Sequence, residues 1–99
     1  MRVTIRTVDV RATEALKQHV QHVVSAAFDR IGDNVHELEV RLRDLNGPKG
    51  GVDQEVVVLG RLAGKTLAVR AVEADAYHAL RSAITRMARR VRARRGGRS

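Results

Sequence analysis

The chain contains no cysteine and no tryptophan, and only one proline, one phenylalanine and one tyrosine in 99 residues. Without thiols there is no disulfide framework, no thiolate metal site and no cysteine nucleophile. With so few rings, recognition of nucleic acid by base stacking is poorly provided for. No apolar run approaches the roughly 20 residues of a membrane span, and no charged-then-apolar leader opens the sequence. These absences set the expectation of a cytoplasmic protein with no membrane partner. Acid is also missing from one stretch: no Asp or Glu follows Asp75, whereas residues 81–99 hold eight arginines. Residues 1–80 balance 11 basic against 11 acidic groups, so the whole net charge of +8 sits in the last 19 residues. A cationic tract on a neutral body makes a local field for a polyanion.

What is present is enough aliphatic residue, at 43% apolar, for one small core built from Val, Leu, Ile and Ala. Arg2–Val8 reads as a strand with Val3 and Ile5 on one face. The parity slips at Val8 and Val10, which predicts a bend near Thr7–Asp9. Thr13 is a candidate N-cap, followed by Leu16, Val20, Val23, Val24, Ala27 and Ile31 at helical spacing, a helix over 14–31 closed by Gly32. Residues 36–44 alternate strictly. Leu38, Val40 and Leu42 form an apolar face, and Glu37, Glu39, Arg41 and Arg43 a solvated one. A glycine- and proline-bearing loop spans 46–51. A third strand over 54–62 and a fourth over 66–72 form a hairpin through Ala63-Gly64-Lys65. Gly60 falls on the inner face, where a missing side chain admits a helix.

Asp75 caps a last helix whose stripe is Tyr77, Leu80, Ile84, Met87 and Val91. Arg81, Arg86, Arg89, Arg90 and Arg92 occupy the remaining arc. Continued as a helix, Arg94 and Arg95 would meet the apolar stripe, so packing is expected to stop near Val91. The predicted organisation is one domain over 1–91 and a basic, flexible tail over 92–99. The order β-α-β-β-β-α, a right-handed first crossover and short later connections predict an α+β fold. It is a two-layer domain, a four-stranded mixed sheet with both helices on one face.

No catalytic constellation accompanies this frame. Ser25, Ser82 and Ser99 lack a nucleophile elbow, and no paired carboxylates stand in an apolar setting. Gly64-Lys65-Thr66 has Leu59 where a phosphate-binding loop needs glycine, and it leads into a strand. His19 and His22 lie three apart without a third ligand at helical spacing, and read as solvent-exposed. The expectation is a non-enzyme with no cofactor, no metal and no small-molecule substrate. The arginine tract differs from an ordinary solvated face, which mixes signs. Arg86–Arg89, Arg86–Arg90 and Arg89–Arg92 repel at helical neighbour spacing, and a polyanion would relieve that. Arg81, Arg86, Arg89, Arg90, Arg92, Arg94 and Arg95 are the candidate RNA-binding residues, suited to phosphate forks and A-form shape.

Val3-x-Ile5 leading into Thr13-Glu14-Ala15-Leu16, and Asp75-Ala76-Tyr77-His78-Ala79-Leu80 ahead of a basic helix, resemble the ribosome hibernation promoting factor family. That family is also called ribosome-associated inhibitor A or sigma-54 modulation protein. The resemblance covers essentially the whole chain, in the short form without a dimerisation domain. It implies a non-catalytic partner of the small ribosomal subunit and its rRNA. Such a protein occupies the decoding region where tRNA and mRNA lie, and inhibits translation or promotes hibernation under stress. Members commonly carry Lys or Arg on the exposed side of the first helix. Here that side shows Gln18, Gln21, His22, Ser25 and Asp29, so basic charge has moved to the last helix. Two other readings stand beside this one. The same helix would serve a general nucleic-acid binder. Val57, Leu59 and Val72 on the outer sheet face would serve a protein-interaction module that forms a weak homodimer.

Overall fold

The structure is a computed structural model that describes residues 1–29, 31, 34–45 and 53–96, with backbone alone for Arg95 and Gly96. The elements are β1 (Arg2–Val8), α1 (Glu14–Ala27), β2 (Glu37–Asp44), β3 (Gln54–Leu62), β4 (Lys65–Glu73) and α2 (Ala76–Gly96). The sheet runs β1-β2-β3-β4, with β1 parallel to β2 and the later pairs antiparallel. Class, order and topology are those the alternation predicts. The expected closing Gly32 and the 46–51 loop lie outside the described residues.

Period-2 patterning sorts the sheet. Leu38, Val40 and Leu42 of β2 oppose Gly60, Val58 and Val56 of β3, and these oppose Leu67, Val69 and Ala71 of β4. All are buried and join the helix stripes in one core. Leu80, Ala83, Ile84, Met87 and Val91 of α2 lie over β3 and β4, and α1 packs beside α2 through Leu16, Val20, Val23 and Val24. A Cβ on Gly60 would stand 3.0 Å from Met87 Sδ, so the bare backbone is what lets α2 sit this low. The predicted bend falls at Asp9, whose φ of 59° ends β1.

The helix starts follow their caps. Thr13 Oγ1 accepts from Leu16 N at 3.1 Å, and Asp75 Oδ1 accepts from Tyr77 N at 3.0 Å. Other boundaries differ from expectation. Helix α1 stops at Ala27 with Phe28 as its cap, and the Ile31 N–H then bonds back to Phe28 O at 3.1 Å. Phe28, Ile31 and Val35 are buried, so the apolar spacing runs on after the helix has ended in tight turns. The hairpin loop is the pair Ala63-Gly64, with Lys65 already paired to Leu62. Gly64 takes a φ of 72°, open to glycine without strain. Helix α2 passes Val91 and continues to Gly96, so the segment expected to be a flexible tail from Arg92 is helical as far as 96. Val91 is its last buried described position, as its stripe predicts.

The outer sheet face corrects one expectation in detail. Glu39, predicted to be solvated, is 4% exposed. Its carboxylate accepts from Arg41 Nε at 2.7 Å and Arg61 Nη2 at 2.8 Å, and pairs with Arg6 Nε at 3.0 Å. Arg61 also donates to Glu37 at 3.1 Å, and Glu55 is bracketed by Arg70 Nε at 2.6 Å and Arg43 Nη2 at 3.1 Å. Long arginine stems lie over the two carboxylates and cover them. The Arg41 hydrogen bond holds Glu39 below the ordinary carboxylate value, against the opposing effect of burial. Arg70 does the same for Glu55.

Candidate nucleic-acid interface

Helix α2 runs antiparallel to the edge strand β4, and the two rises nearly match. One helical step of four residues advances about 6 Å and two strand residues about 7 Å. Arg86 Nη1 therefore donates to Arg70 O at 3.0 Å, and Arg90 Nη1, one turn on, donates to Ala68 O at 2.6 Å. Both carbonyls lie on the unpaired side of β4, where an uncovered edge invites strand addition. Two of the seven predicted arginines thus have a structural duty as well as a cationic one.

Around this contact lie two adjoining clefts of about 450 Å³ each. The first is lined by Glu73, His78, Arg81, Ser82, Thr85, Arg86 and Arg89; the second by Ala68, Val69, Arg70, Arg86, Arg89 and Arg90. Arg86 and Arg89 belong to both, so the clefts make one groove along the α2–β4 seam. Among the described residues no arginine of α2 forms an ion pair, although seven ion pairs stand elsewhere. Hydroxyls of Ser82 and Thr85 add neutral donors. The groove can accept a phosphate chain by forked charge-assisted bonds.

The structure groups Arg81, Arg86, Arg89 and Arg90 in this groove. It does not bring in Arg94, which lies at the far end beside Asn34, Leu62 and Ala63. Arg92 is exposed further along α2, and the Arg95 side chain lies outside the described residues. Arg70 was missing from the sequence-derived set. Its outward parity in β4 was readable, but its place beside α2 depends on the tertiary alignment.

Tyr77, expected in the core, is 40% exposed. At the first turn of α2 it meets α1. Its ring packs edge-on against His19 at 4.6 Å, and His19 Nε2 lies 3.3 Å from its carbonyl. A carbonyl only accepts, so this contact is a hydrogen bond in the tautomer with the proton on Nε2. His19 is thus half-buried and engaged with Tyr77 rather than solvent-exposed. The outward side of α1 keeps Gln18, Gln21, His22 and Ser25 exposed, as expected.

The sequence matches the family of the sigma 54 modulation protein / S30EA ribosomal protein over residues 3–98. Two solved structures share the fold. A ribosomal subunit interface protein from Coxiella burnetii superposes with a TM-score of 0.84 at 12% identity, covering 98% of this chain and 100% of that one. The Protein Y N-terminal domain from Thermus thermophilus gives 0.75 at 22% identity, covering 92% and 96%. No curated protein sequence matches significantly.

Proposed function

The chain belongs to the sigma 54 modulation protein / S30EA ribosomal protein family, and from that premise we propose that it binds the small ribosomal subunit through the α2–β4 groove. The membership is the one its two sequence motifs imply. The observation that carries the reading is the arginine surface of α2, which has no ion-pair partner among the described residues, on a fold shared with a ribosomal subunit interface protein. The domain acts by occupancy. A compact basic wedge lays Arg81, Arg89, Arg92 and Arg70 on rRNA phosphates and fills space that mRNA or tRNA needs in the decoding region. It silences translation or stores ribosomes in the cytoplasm under stress, with no catalytic step and no cofactor.

Self-association through the sheet is less well supported. Val57, Leu59 and Val72 do face outward, but arginines outnumber glutamates around them, and two such faces repel. The test is sedimentation with purified subunits through a gradient. Co-migration with small subunits in the presence of excess bulk RNA supports the reading. Equal partition onto bulk RNA replaces it with general nucleic-acid binding. Salt-insensitive dimers without RNA affinity replace it with a protein-interaction module.

A further inference from the structure

We propose that the outward face of the sheet is a second RNA phosphate-binding surface, joined to the α2–β4 groove around the β4 edge. This rests on the RNA-binding reading above and adds a face to it.

Charge is the first observation. The outward-facing positions carry six arginines, Arg2, Arg6, Arg41, Arg43, Arg61 and Arg70, against Glu37, Glu39 and Glu55. A face built for internal pairing alone would match its signs. This one keeps a surplus of three positive charges, and no other strand position on it is acidic.

Preorganisation is the second. Each glutamate holds arginines in place without neutralising them all: Glu39 serves three, Glu55 two. A guanidinium has five N–H donors, and these contacts use one or two of them. The side chains of Arg6, Arg43 and Arg70 remain 68%, 53% and 60% exposed. The contacts to Glu39 and Glu55 already restrain these exposed side chains, so less side-chain entropy is lost on binding. Arg6, Arg41 and Arg43 line a cup of about 270 Å³ together with Val8, Leu42, Val57 and Glu55, whose carboxylate is already engaged by Arg43 and Arg70.

Continuity is the third. Arg70 pairs with Glu55 on the sheet and also lines the groove with Arg86, Arg89 and Arg90. The cationic surface therefore wraps the β4 edge, and the domain can be held between two RNA segments.

The test uses a short RNA hairpin with a fully paired stem. Arg2→Gln, Arg6→Gln and Arg43→Gln are combined, which leaves Glu39 with Arg41 and Arg61, and Glu55 with Arg70. Three lost contacts reduce the salt slope by nearly three log units per log salt, so affinity near 0.1 M salt falls roughly 500-fold. A matched variant, Arg81→Gln with Arg89→Gln and Arg92→Gln, separates the two readings. If the α2 variant loses affinity and the sheet variant binds as wild type, the sheet proposal is overturned and the function stands. If both bind as wild type, the RNA-binding reading itself fails. Should the sheet variant not fold, the wild-type arginine Nε–H resonances decide. Shifts of Arg6 and Arg43 on adding the hairpin support the proposal; shifts confined to α2 overturn it.

Discussion

The sheet and the last helix spend the same residue type in opposite ways. On the sheet, arginines surround Glu39 and Glu55 and take part in folding. On α2, arginines stand over a groove without a carboxylate partner among the described residues, and what they touch inside the protein is backbone carbonyl. The difference teaches that the sign of the neighbours, more than the number of arginines, decides whether an arginine also takes part in folding. A buried carboxylate is costly without partners and so recruits them. An acid-free helix face has no such internal use for its charge.

The largest effect on stability belongs to the sheet. Glu39→Ala removes the acceptor shared by Arg6, Arg41 and Arg61, and should cost about 2 kcal/mol, less than the roughly 3–5 kcal/mol for breaking a fully buried pair because the exposed arginines can rehydrate. Chemical denaturation measures it. Glu73→Ala, which removes the acid that lines the groove, should leave stability within about 0.5 kcal/mol and leave RNA affinity equal or higher. A loss at Glu73 as large as at Glu39 would erase the distinction between the two regions.

Next in size are the two arginines that cross the boundary. Arg86→Ala and Arg90→Ala each remove a bond to a β4 edge carbonyl, at about 0.5–1 kcal/mol in thermal melts. With the edge uncovered, the double variant should also aggregate more readily. If neither stability nor solubility changes, these arginines are cationic only.

The acid limb of the stability profile gives a further contrast. Glu39 and Glu55 both titrate lower in the folded chain than in the unfolded one, so the unfolded chain binds more protons as pH falls. Their stabilisation is complete above the ordinary carboxylate value of about 4.5 and is lost as pH drops through the folded values. Stability should be level from about pH 5 upward on this account, and should fall below it. Glu39→Gln should flatten that fall.

The frame of this comparison was legible in the sequence, because period-2 and period-3.6 patterns report faces directly. Alternation in residues 36–44 placed Leu38, Val40 and Leu42 inward, and the acid-free run after Asp75 marked the cationic helix. What was not legible depends on distant partners. Glu39 sits at an outward position and is buried only because Arg6 and Arg61 arrive from neighbouring strands. Tyr77 fits the stripe on a wheel, but its ring packs edge-on against His19 of α1 and stays half out of the core. Ile31 continues the α1 spacing although the helix has already turned at Phe28. Arg70 joins the groove only because the rise of α2 matches that of β4.

The most direct test is the affinity of small ribosomal subunits for the variant combining Arg81→Glu, Arg89→Glu and Arg92→Glu, measured against wild type across a salt series. All three arginines are exposed, and none bonds the β4 edge. The melting temperature should therefore stay within a few degrees of wild type. Wild-type affinity should fall steeply with salt, by nearly one log unit per log salt for each phosphate contact. The variant should show no measurable binding at about 0.1 M salt. A folded variant that binds subunits with wild-type affinity and wild-type salt slope would contradict the account.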